Sequence, residues 1–291
     1  MTLIAGATGM LGSEICRLLR EQGKPVRALV RSTSNPETLA RLGSSGAEIV
    51  QGDLKDKASL EAACRGATAV ISTASSTISK QGGDSIESVD HQGQLNLIEA
   101  AEKAGVRQFI LISFPGFELG FPLQSAKRAA EDRLRRGRMP YTVLQPTCFM
   151  EVWLSPGLGF DPAHGTAQIY GAGHNKVSWI SFMDVAQFAV AALGNERAAQ
   201  SFIKLGGPDA LSPLEVVQLA EQFTGKAIAV QHVPEDALRA QHSAATDPLQ
   251  QSFAGLMLYC AHGEAIDMKA ALRVLPVRKL ISVREYLAAL V

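Results

Sequence analysis

Residues 2–19 read TLIAGATGMLGSEICRLL. A short apolar strand runs into three glycines, Gly6, Gly9 and Gly12, and apolar residues then recur at helical spacing. Glycines let the backbone turn tightly and approach a phosphate, whose charge is attracted by the N–H groups at the start of the next helix. A glycine triplet alone is a weak signal, but its position between a strand and a helix predicts a dinucleotide-binding turn. The predicted contacts are Gly6, Thr8, Gly9, Met10, Leu11 and Gly12.

Apolar strands and amphipathic helical stretches alternate over the first 145 residues, which is typical of βα units in a parallel sheet. The strands are apolar on both faces, as expected where helices cover both sides. We therefore predict an α/β fold with a Rossmann-type doubly wound parallel sheet. The predicted strands are Thr2–Ala5, Val26–Val30, Ala47–Val50, Ala69–Ser72, Phe109–Ser113 and Tyr141–Gln145, with helices over 10–22, 35–43, 57–64, 84–104 and 123–136.

Prolines and glycines cluster between residues 146 and 165, where the regular alternation ends. The elements predicted beyond them are a strand pair at Thr166–Tyr170 and Val177–Ile180, strands at Phe202–Leu205 and near Ile228–His232, and helices over most of 212–291. The strand at 202–205 is expected to return to the main sheet. The predicted domains are a nucleotide-binding Rossmann domain, 1–150, to which 175–206 return, and a smaller C-terminal α+β substrate lobe, 151–174 and 207–291.

Three serines mark predicted helix starts. Ser181, Ser212 and Ser282 each precede an acidic residue by three positions, which is the capping-box pattern. This pattern assigns Asp184, the acid that follows Ser181, to a helix start rather than to catalysis.

Charge and hydropathy exclude several partners. The chain has 28 Lys and Arg against 28 Asp and Glu, so no net charge favours nucleic acid or an anionic membrane surface. No apolar run approaches the roughly 18 residues that span a bilayer, and no signal-peptide pattern precedes the first strand. We expect a cytoplasmic monomer or homodimer.

Cysteines and histidines indicate no metal site. Cys16, Cys64, Cys148 and Cys260 are scattered without a CxxC pair, which favours buried free thiols over zinc or a disulfide framework. The six histidines show no ligand spacing, and His164 and His174 fit exposed loop positions better than a cleft.

The end of the second strand bears on the choice between NAD and NADP. An acid there holds the ribose 2′-OH of NAD, whereas a 2′-phosphate needs a cation. The sequence has Arg31 and Ser32 and no acid, which predicts NADP(H), although a solvated surface arginine is the alternative. Asp53 and Leu54 follow the third strand, where the aspartate would contact adenine or close a turn.

Several motifs together resemble one family. They are GATGMLG, VRS after the second strand, GDL after the third, NLIEAAEKAGVRQFILIS, the helix with Lys127, YTVLQPTCFME and GGPDALSPLE. Over most of residues 1–225 the chain resembles the NmrA-like group of atypical short-chain dehydrogenase/reductases. The resemblance implies an NADP(H)-preferring Rossmann domain and a small substrate lobe; members include reductases and proteins that bind the nucleotide without known chemistry.

The resemblance also suggests catalytic residues. Related dehydrogenases use a tyrosine four positions before a lysine, but here Leu123 precedes Lys127, which puts tyrosine-dependent carbonyl reduction in doubt. The reductase branch uses a lysine at this position as acid/base or ribose ligand; the alternative is a solvated cation on a basic helix face. Ser113, at the end of the fifth strand, is the second catalytic candidate, or only a strand-end hydroxyl.

Further residues follow strands whose carboxyl ends face the predicted ligand cleft. The expected neighbours of the nicotinamide and its ribose are Thr73, Ala74 and Ser75 after the fourth strand, and Pro146, Thr147, Cys148 and Phe149 after the sixth. The aromatic residues expected to line an apolar substrate pocket are Phe114, Phe117, Trp153 and Trp179.

Two functions remain open at this point. One is an NADPH-dependent reductase that transfers hydride to an apolar, aromatic or quinone-like small molecule. The other is an NADP(H)-sensing regulator or assembly factor that acts through a protein partner. Leu123 favours the second function, whereas Lys127 and the C-terminal lobe favour the first.

Overall fold

The computed structural model describes residues 1–79 and 81–290. Its strands are β1 Thr2–Ala5, β2 Val26–Val30, β3 Glu48–Gln51, β4 Ala69–Ser72, β5 Gln108–Ile112, β6 Tyr141–Pro146, β7 Phe160–Asp161, β8 Thr166–Tyr170, β9 Ser201–Leu205 and β10 Ala229–Val233. Seven strands form a parallel sheet in the order β3-β2-β1-β4-β5-β6-β9, and a three-stranded sheet has the order β10-β8-β7.

Helices cover both faces of the large sheet and build the region beyond β6. They are α1 Met10–Glu21, α2 Pro36–Ser44, α3 Lys57–Cys64, α4 Gln92–Lys103, α5 Pro122–Arg136, α6 Met150–Trp153, α7 Phe182–Ala192, α8 Pro213–Thr224, α9 Glu235–Ala244, α10 Pro248–His262, α11 Lys269–Val274 and α12 Val283–Leu290. A π-helical turn, Ile86–His91, runs directly into α4. Within the described residues, no helix combines the length and the apolar character needed to cross a membrane.

The large sheet has an apolar core on each face. In β1, Leu3 packs into one cluster and Ile4 into the other, because successive side chains of a strand point to opposite faces. Both are fully buried, and burying such a side chain contributes roughly 1.5–3 kcal/mol. This arrangement confirms the predicted doubly wound parallel sheet.

A crevice opens where the winding direction reverses. β1 lies between β2 and β4, so the connections after β1 and β4 leave to opposite sides of the sheet. Open α/β sheets bind ligands outside the carboxyl ends of their strands at such a point. The glycine turn Gly6–Gly12 follows β1 directly at this position.

The predicted return of a strand to the main sheet is confirmed. β9 pairs in parallel with β6, with Phe202 opposite Val143. Its residues Ile203 and Leu205 share a core cluster with Met268 of the C-terminal segment. The C-terminal segment thus packs on the same core as the Rossmann strands.

The predicted pairing of 166–170 with 177–180 is wrong. β8 pairs in parallel with β10 and antiparallel with β7, while Val177 and Ile180 form only isolated bridges, to Leu211 and Phe149. A β-branched apolar pattern indicates a strand but does not select a partner, and here the partner lies about sixty residues further along the chain.

Two of the three predicted capping boxes form as expected. Ser212 with Glu215 and Ser282 with Glu285 exchange reciprocal side-chain to backbone hydrogen bonds. Ser181 caps α7 through the Met183 N–H, but Asp184 does not complete a box.

Asp184 instead connects two distant segments, which corrects its assignment as a capping residue. Its carboxylate accepts a 2.8 Å hydrogen bond from the Ile281 N–H. The side chain is fully buried, and burial raises its pKa to about 6. Asp184 therefore attaches the C-terminal segment to α7.

Candidate functional site

A cavity of about 540 Å³ runs along the carboxyl ends of the parallel strands. It begins beside Arg31 and Asp84, passes the glycine turn and Lys127, and ends among side chains of α10. We call the part lined by Arg31, Asp53 and Asp84 the charged end, and the part lined by Phe253, Leu256 and Met257 the apolar end.

The three positions of the turn differ in why each is a glycine. Gly6 has φ +82°, which disfavours any side chain, and a Cβ on Gly12 would lie 2.1 Å from the Gly6 carbonyl oxygen. Gly9 has an extended backbone that any residue adopts, φ −79° and ψ 168°, and its Cβ would meet nothing closer than 3.4 Å. Packing within the protein therefore explains Gly6 and Gly12 but not Gly9, which lines the cavity.

The start of α1 faces the same part of the cavity. Gly9 is its N-cap residue, with no side chain to accept from the first-turn N–H groups, and the first turn holds no acidic residue. Such N–H groups have no partner within the helix and carry partial positive charge. Met10 and Leu11 line the cavity here, so this position suits an anion.

A buried carboxylate dominates the charged end. Asp84, whose side chain is 3% exposed, forms ion pairs with Arg31 and Lys55 and accepts a hydrogen bond from Ser79. Burial alone would raise the pKa of Asp84, but these donors outweigh it and hold the pKa at about 2. Arg31 therefore lies where the sequence predicted a cation, and it is paired rather than simply solvated.

The predicted residues after β3 line the charged end, and Ser32 does not. Asp53 and Leu54 both face the cavity. Asp53 also accepts a 2.9 Å hydrogen bond from the Lys55 N–H, so its carboxylate closes a turn, as the alternative proposed. Ser32 is exposed and lies outside the cavity lining.

Polar side chains from α4 hold the segment that follows β4. Thr73, Ala74 and Ser75, the predicted neighbours of the nicotinamide ribose, line the middle of the cavity. Fully buried Gln94 donates to the Ala74 carbonyl at 3.0 Å and accepts from Ser72 at 2.8 Å. The backbone that passes beside the glycine turn is therefore fixed from behind.

Lys127 lies in the cavity wall and faces a buried acid. Its Nζ is 3.4 Å from Asp90 Oδ1, and their side chains are 7% and 0% exposed. The other oxygen of Asp90 accepts hydrogen bonds from the backbone and side chain of Ser76, while Oδ1 has no hydrogen-bond partner. Lys127 is thus not a solvated surface cation.

Leu123 lies one turn before Lys127 and also lines the cavity. Residues four apart share a helix face, so a tyrosine at this position would face the ligand. The structure puts a buried aliphatic side chain there instead.

Ser113, the second catalytic candidate, lines the cavity at the end of β5. Its hydroxyl accepts a 3.1 Å hydrogen bond from Arg128, which also donates to the Phe114 carbonyl. Arg128 pairs with buried Glu131, and Glu131 accepts from Gln145. Because its oxygen is used as an acceptor, the Ser113 hydroxyl proton can point toward a ligand.

Residues 146–149, the predicted neighbours of the nicotinamide, line the cavity after β6. Thr147 donates through its hydroxyl to the Ser178 carbonyl, and its N–H bonds Leu205, so this segment is fixed to β9 and its neighbour. Cys148 is buried, and a hydrogen bond with Cys260 together with burial raises the pKa of its thiol. All four cysteines are buried free thiols.

The apolar end comes largely from a helix that the sequence did not single out. Phe253, Leu256 and Met257 of α10 line it together with the predicted Phe114 and Trp153. The remaining apolar side chains here are Leu123, Phe149, Val152, Leu158 and Phe182.

Two predicted aromatic residues and one tyrosine do not provide ligand chemistry here. Trp179 is a fully buried core residue whose Nε1 donates to the Leu211 carbonyl, and Phe117 packs on Tyr259 and His262, so neither lines the cavity. Tyr259 reaches the wall, but its hydroxyl donates to Glu264, and burial raises its pKa far above the ordinary value.

Sequence reasoning also missed Asp84, Asp90 and Gln94. For the last two a signal exists, because Asp90, Gln94, Leu97 and Ala101 recur at spacings of four, three and four and are all fully buried. Polar residues within an otherwise apolar helical stripe indicate side chains that hold a neighbouring segment or a ligand through hydrogen bonds. No cluster of His, Cys, Asp or Glu within the described part of the chain could hold a metal ion.

Comparisons with known proteins agree with this architecture. The family model of the NmrA-like family matches residues 1–287. Photosystem II assembly factor Ycf39 of Synechocystis sp. is 33% identical over 250 residues, which cover 83% of this chain and 73% of that protein. An NAD(P)H azoreductase of Xenophilus azovorans is 30% identical over 231 residues, covering 78% and 75%.

Among solved structures, the NADPH complex of an NADPH-dependent quinone oxidoreductase from Escherichia coli superposes with a TM-score of 0.79 at 22% identity, covering 100% of this chain and 99% of that one. The predicted fold is confirmed, and the predicted cofactor agrees with the nucleotide in that relative. The chain belongs to the NmrA-like family.

Proposed function

We propose that the protein is an NADPH-dependent reductase whose acceptor is an apolar, aromatic or quinone-like small molecule. The observation that carries the proposal is one continuous cavity with three parts. Arg31 and its partner Asp84 lie at one end, and the glycine turn, which suits an anion, lies in the middle. Buried Lys127 lies between this turn and the apolar end. Each part matches one part of a dinucleotide and its acceptor.

The residues present fit the cofactor. No contact within the protein requires residue 9 to be a glycine. A pyrophosphate over the start of α1 would require it, because a side chain there would occupy the same space. Arg31 and Lys55 supply the positive charge that a 2′-phosphate needs. Thr73–Ser75 and Pro146–Phe149 would flank the nicotinamide ribose and ring.

The bound nucleotide would supply a hydride, and the protein would orient the acceptor and exclude water. Lys127, held by Asp90, would donate a proton or a hydrogen bond to the acceptor oxygen or to the ribose. Ser113, with its oxygen held by Arg128, would aim its O–H at the same acceptor. The apolar side chains of α10 would cover the ring.

Among the described residues, no tyrosine of the cavity wall has a hydroxyl available to a ligand, and this narrows the class of acceptor. Leu123 replaces the usual tyrosine, and the Tyr259 hydroxyl is committed to Glu264. Acceptors whose reduced oxygens carry low proton affinity, such as quinones, need less proton transfer than simple ketones. The name of the quinone oxidoreductase relative supports this class.

The test is an NADPH-oxidation screen against quinones, azo dyes, enones and simple ketones. We expect turnover with quinones or dyes and little with unactivated ketones. Tight NADPH binding without turnover on any of these acceptors would contradict the reductase.

A second function is favoured by Leu123 and by the Ycf39 relatives, whose name is that of an assembly factor. In this alternative the protein binds NADP(H) and changes its affinity for a protein partner. Affinity capture with NADP(H) added or omitted tests it, since a sensor predicts a partner whose recovery depends on the nucleotide.

A further inference from the structure

The acid that the sequence lacks beside Arg31 comes from a distant segment. Asp84 follows β4 and lies 53 residues along the chain from Arg31, yet its Oδ2 is 2.5 Å from Arg31 Nη1. Its other oxygen is 2.5 Å from Lys55 Nζ. Asp84 and Arg31 both line the charged end of the cavity.

Acid and cation at this position serve different nucleotides. A carboxylate accepts from the two ribose hydroxyls of NAD, whereas a guanidinium pairs with the 2′-phosphate of NADP. The charged end holds the Asp84 carboxylate and the Arg31 guanidinium in contact, so it offers a partner to either nucleotide.

Asp84 must oppose the 2′-phosphate whether or not it moves. If the carboxylate stays, a fixed negative charge lies beside the phosphate and neutralises the two cations that would bind it. If the carboxylate moves away, NADPH binding must first break its two ion pairs, which are shielded from solvent because the Asp84 side chain is only 3% exposed. The 2′-OH of NADH is not repelled by the carboxylate and does not require its ion pairs to break. It can also donate a hydrogen bond to the Asp84 carboxylate.

We infer that Asp84 is the residue that reduces discrimination between the two nucleotides, so that this chain binds NADH as well as NADPH. The inference rests on the proposed nucleotide site but not on any catalytic role. It assigns to Asp84 a specificity function that the sequence around Arg31 does not indicate.

The experiment is calorimetry on the full chain with NADPH, NADH, 2′,5′-ADP and 5′-AMP. Asp84→Asn removes the charge and keeps the size of the side chain. NADPH and 2′,5′-ADP should bind about tenfold more tightly, the scale of one charge-assisted hydrogen bond, while NADH should bind more weakly. The ligand 5′-AMP, which lacks the 2′-phosphate, separates the effect on that group from any general change in the site.

Two further variants make the measurement specific. Asp209→Asn removes one negative charge from an exposed loop outside the cavity, and it should leave all four affinities unchanged. The double change Arg31→Ala with Asp84→Asn should reduce the gain for 2′,5′-ADP, because Lys55 is then the one cation freed from Asp84 that remains.

Several results would overturn the inference. An unchanged or weaker affinity of Asp84→Asn for NADPH would mean that the carboxylate positions Arg31 rather than competing with phosphate. A wild-type preference for NADPH above about a hundredfold, the upper range of one unopposed charged contact, would do the same without any variant. If the wild type binds none of the four ligands, the proposed function fails together with the inference, an outcome distinct from the first two.

Discussion

The two ends of the cavity are built in different ways. At the charged end Arg31 and Lys55 both pair with Asp84, and a ligand must compete for them. At the apolar end, half-buried side chains of α10 face the cavity and a ligand needs only to displace water. Under the proposed function, the first arrangement would select the nucleotide, whereas the second would accept flat apolar molecules of different shapes.

The difference explains why one fold can serve several chemistries. The charged end and the glycine turn are formed by residues that follow β1, β2, β3 and β4. The apolar end depends on a helix more than 100 residues further along the chain, which can change without disturbing the sheet.

The largest expected effect isolates the glycine turn between the two ends. Gly9→Val should eliminate nucleotide binding, since the side chain enters the anion position at the start of α1 while the extended backbone tolerates it. Circular dichroism should show an unchanged fold, and calorimetry should show no NADPH binding. Gly43→Val, in open space on α2, is the matched control and should bind normally. Retained binding by Gly9→Val would show that the phosphates lie elsewhere.

The next effect concerns Lys127, which lies where the two ends meet. If it is the general acid, Lys127→Met should reduce turnover by about 10²- to 10⁴-fold with little change in NADPH affinity. A ribose ligand would instead weaken NADPH binding, and turnover would recover at saturating nucleotide. Unchanged turnover and affinity would remove Lys127 from the site.

That variant leaves the buried Asp90 carboxylate without its ion partner, which could destabilise the protein by about 3–5 kcal/mol. The double change Lys127→Met with Asp90→Asn removes both charges and keeps the turnover measurement interpretable. Lys103→Met, at an exposed ion pair with Glu61, should retain full turnover.

A third prediction concerns the attachment of the C-terminal segment to α7. The pKa of Asp184 is raised from 3.8 to about 6, so the folded state binds the proton more tightly than the unfolded state. The free energy of unfolding should therefore fall as pH rises from about 4 to above 6, by on the order of 3 kcal/mol. Asp184→Asn should remove this fall, as measured by urea unfolding at pH 4, 5, 6 and 7. An identical pH dependence in the variant would exclude Asp184 as its source.

The smallest effect tests the apolar end alone. Leu256→Ala removes half-buried apolar surface from the cavity wall, so KM for a dye or quinone should rise about tenfold, while NADPH affinity stays constant. Ile49→Ala, on β3 and outside the cavity, should leave both unchanged. A parallel loss of NADPH affinity in Leu256→Ala would mean that the two ends are coupled.

Several residues of the charged end could be singled out from the sequence because their elements are local. The glycine turn, Arg31 and Asp53 each follow a strand whose apolar pattern is clear, and parallel strands bring those ends together. Asp84 could not be predicted this way, since its partners lie 29 and 53 residues away and nothing in the segment after β4 indicates its direction.

At the apolar end, prediction depended on residue type rather than position. Aromatic side chains were expected to line the pocket, but Trp179 packs into the core, where its size fills space between α8 and the strands beyond β6. Phe114 and Trp153 do line the pocket. Leu256 and Met257, which also line it, are ordinary members of a helix whose apolar residues surround it on most sides. Its periodicity therefore did not show which face meets the cavity.

The parallel pairing of β9 with β6 has a consequence for how the chain acquires its fold. β6 ends at residue 146 and β9 begins at residue 201, so one edge of an apolar sheet stays unpaired until 55 more residues have been made. An uncovered edge of this kind invites pairing with other chains, and such distant contacts slow folding. A fragment cut after β6 should therefore aggregate, and exchange of the C-terminal lobe between relatives requires that β9 stay with the Rossmann strands.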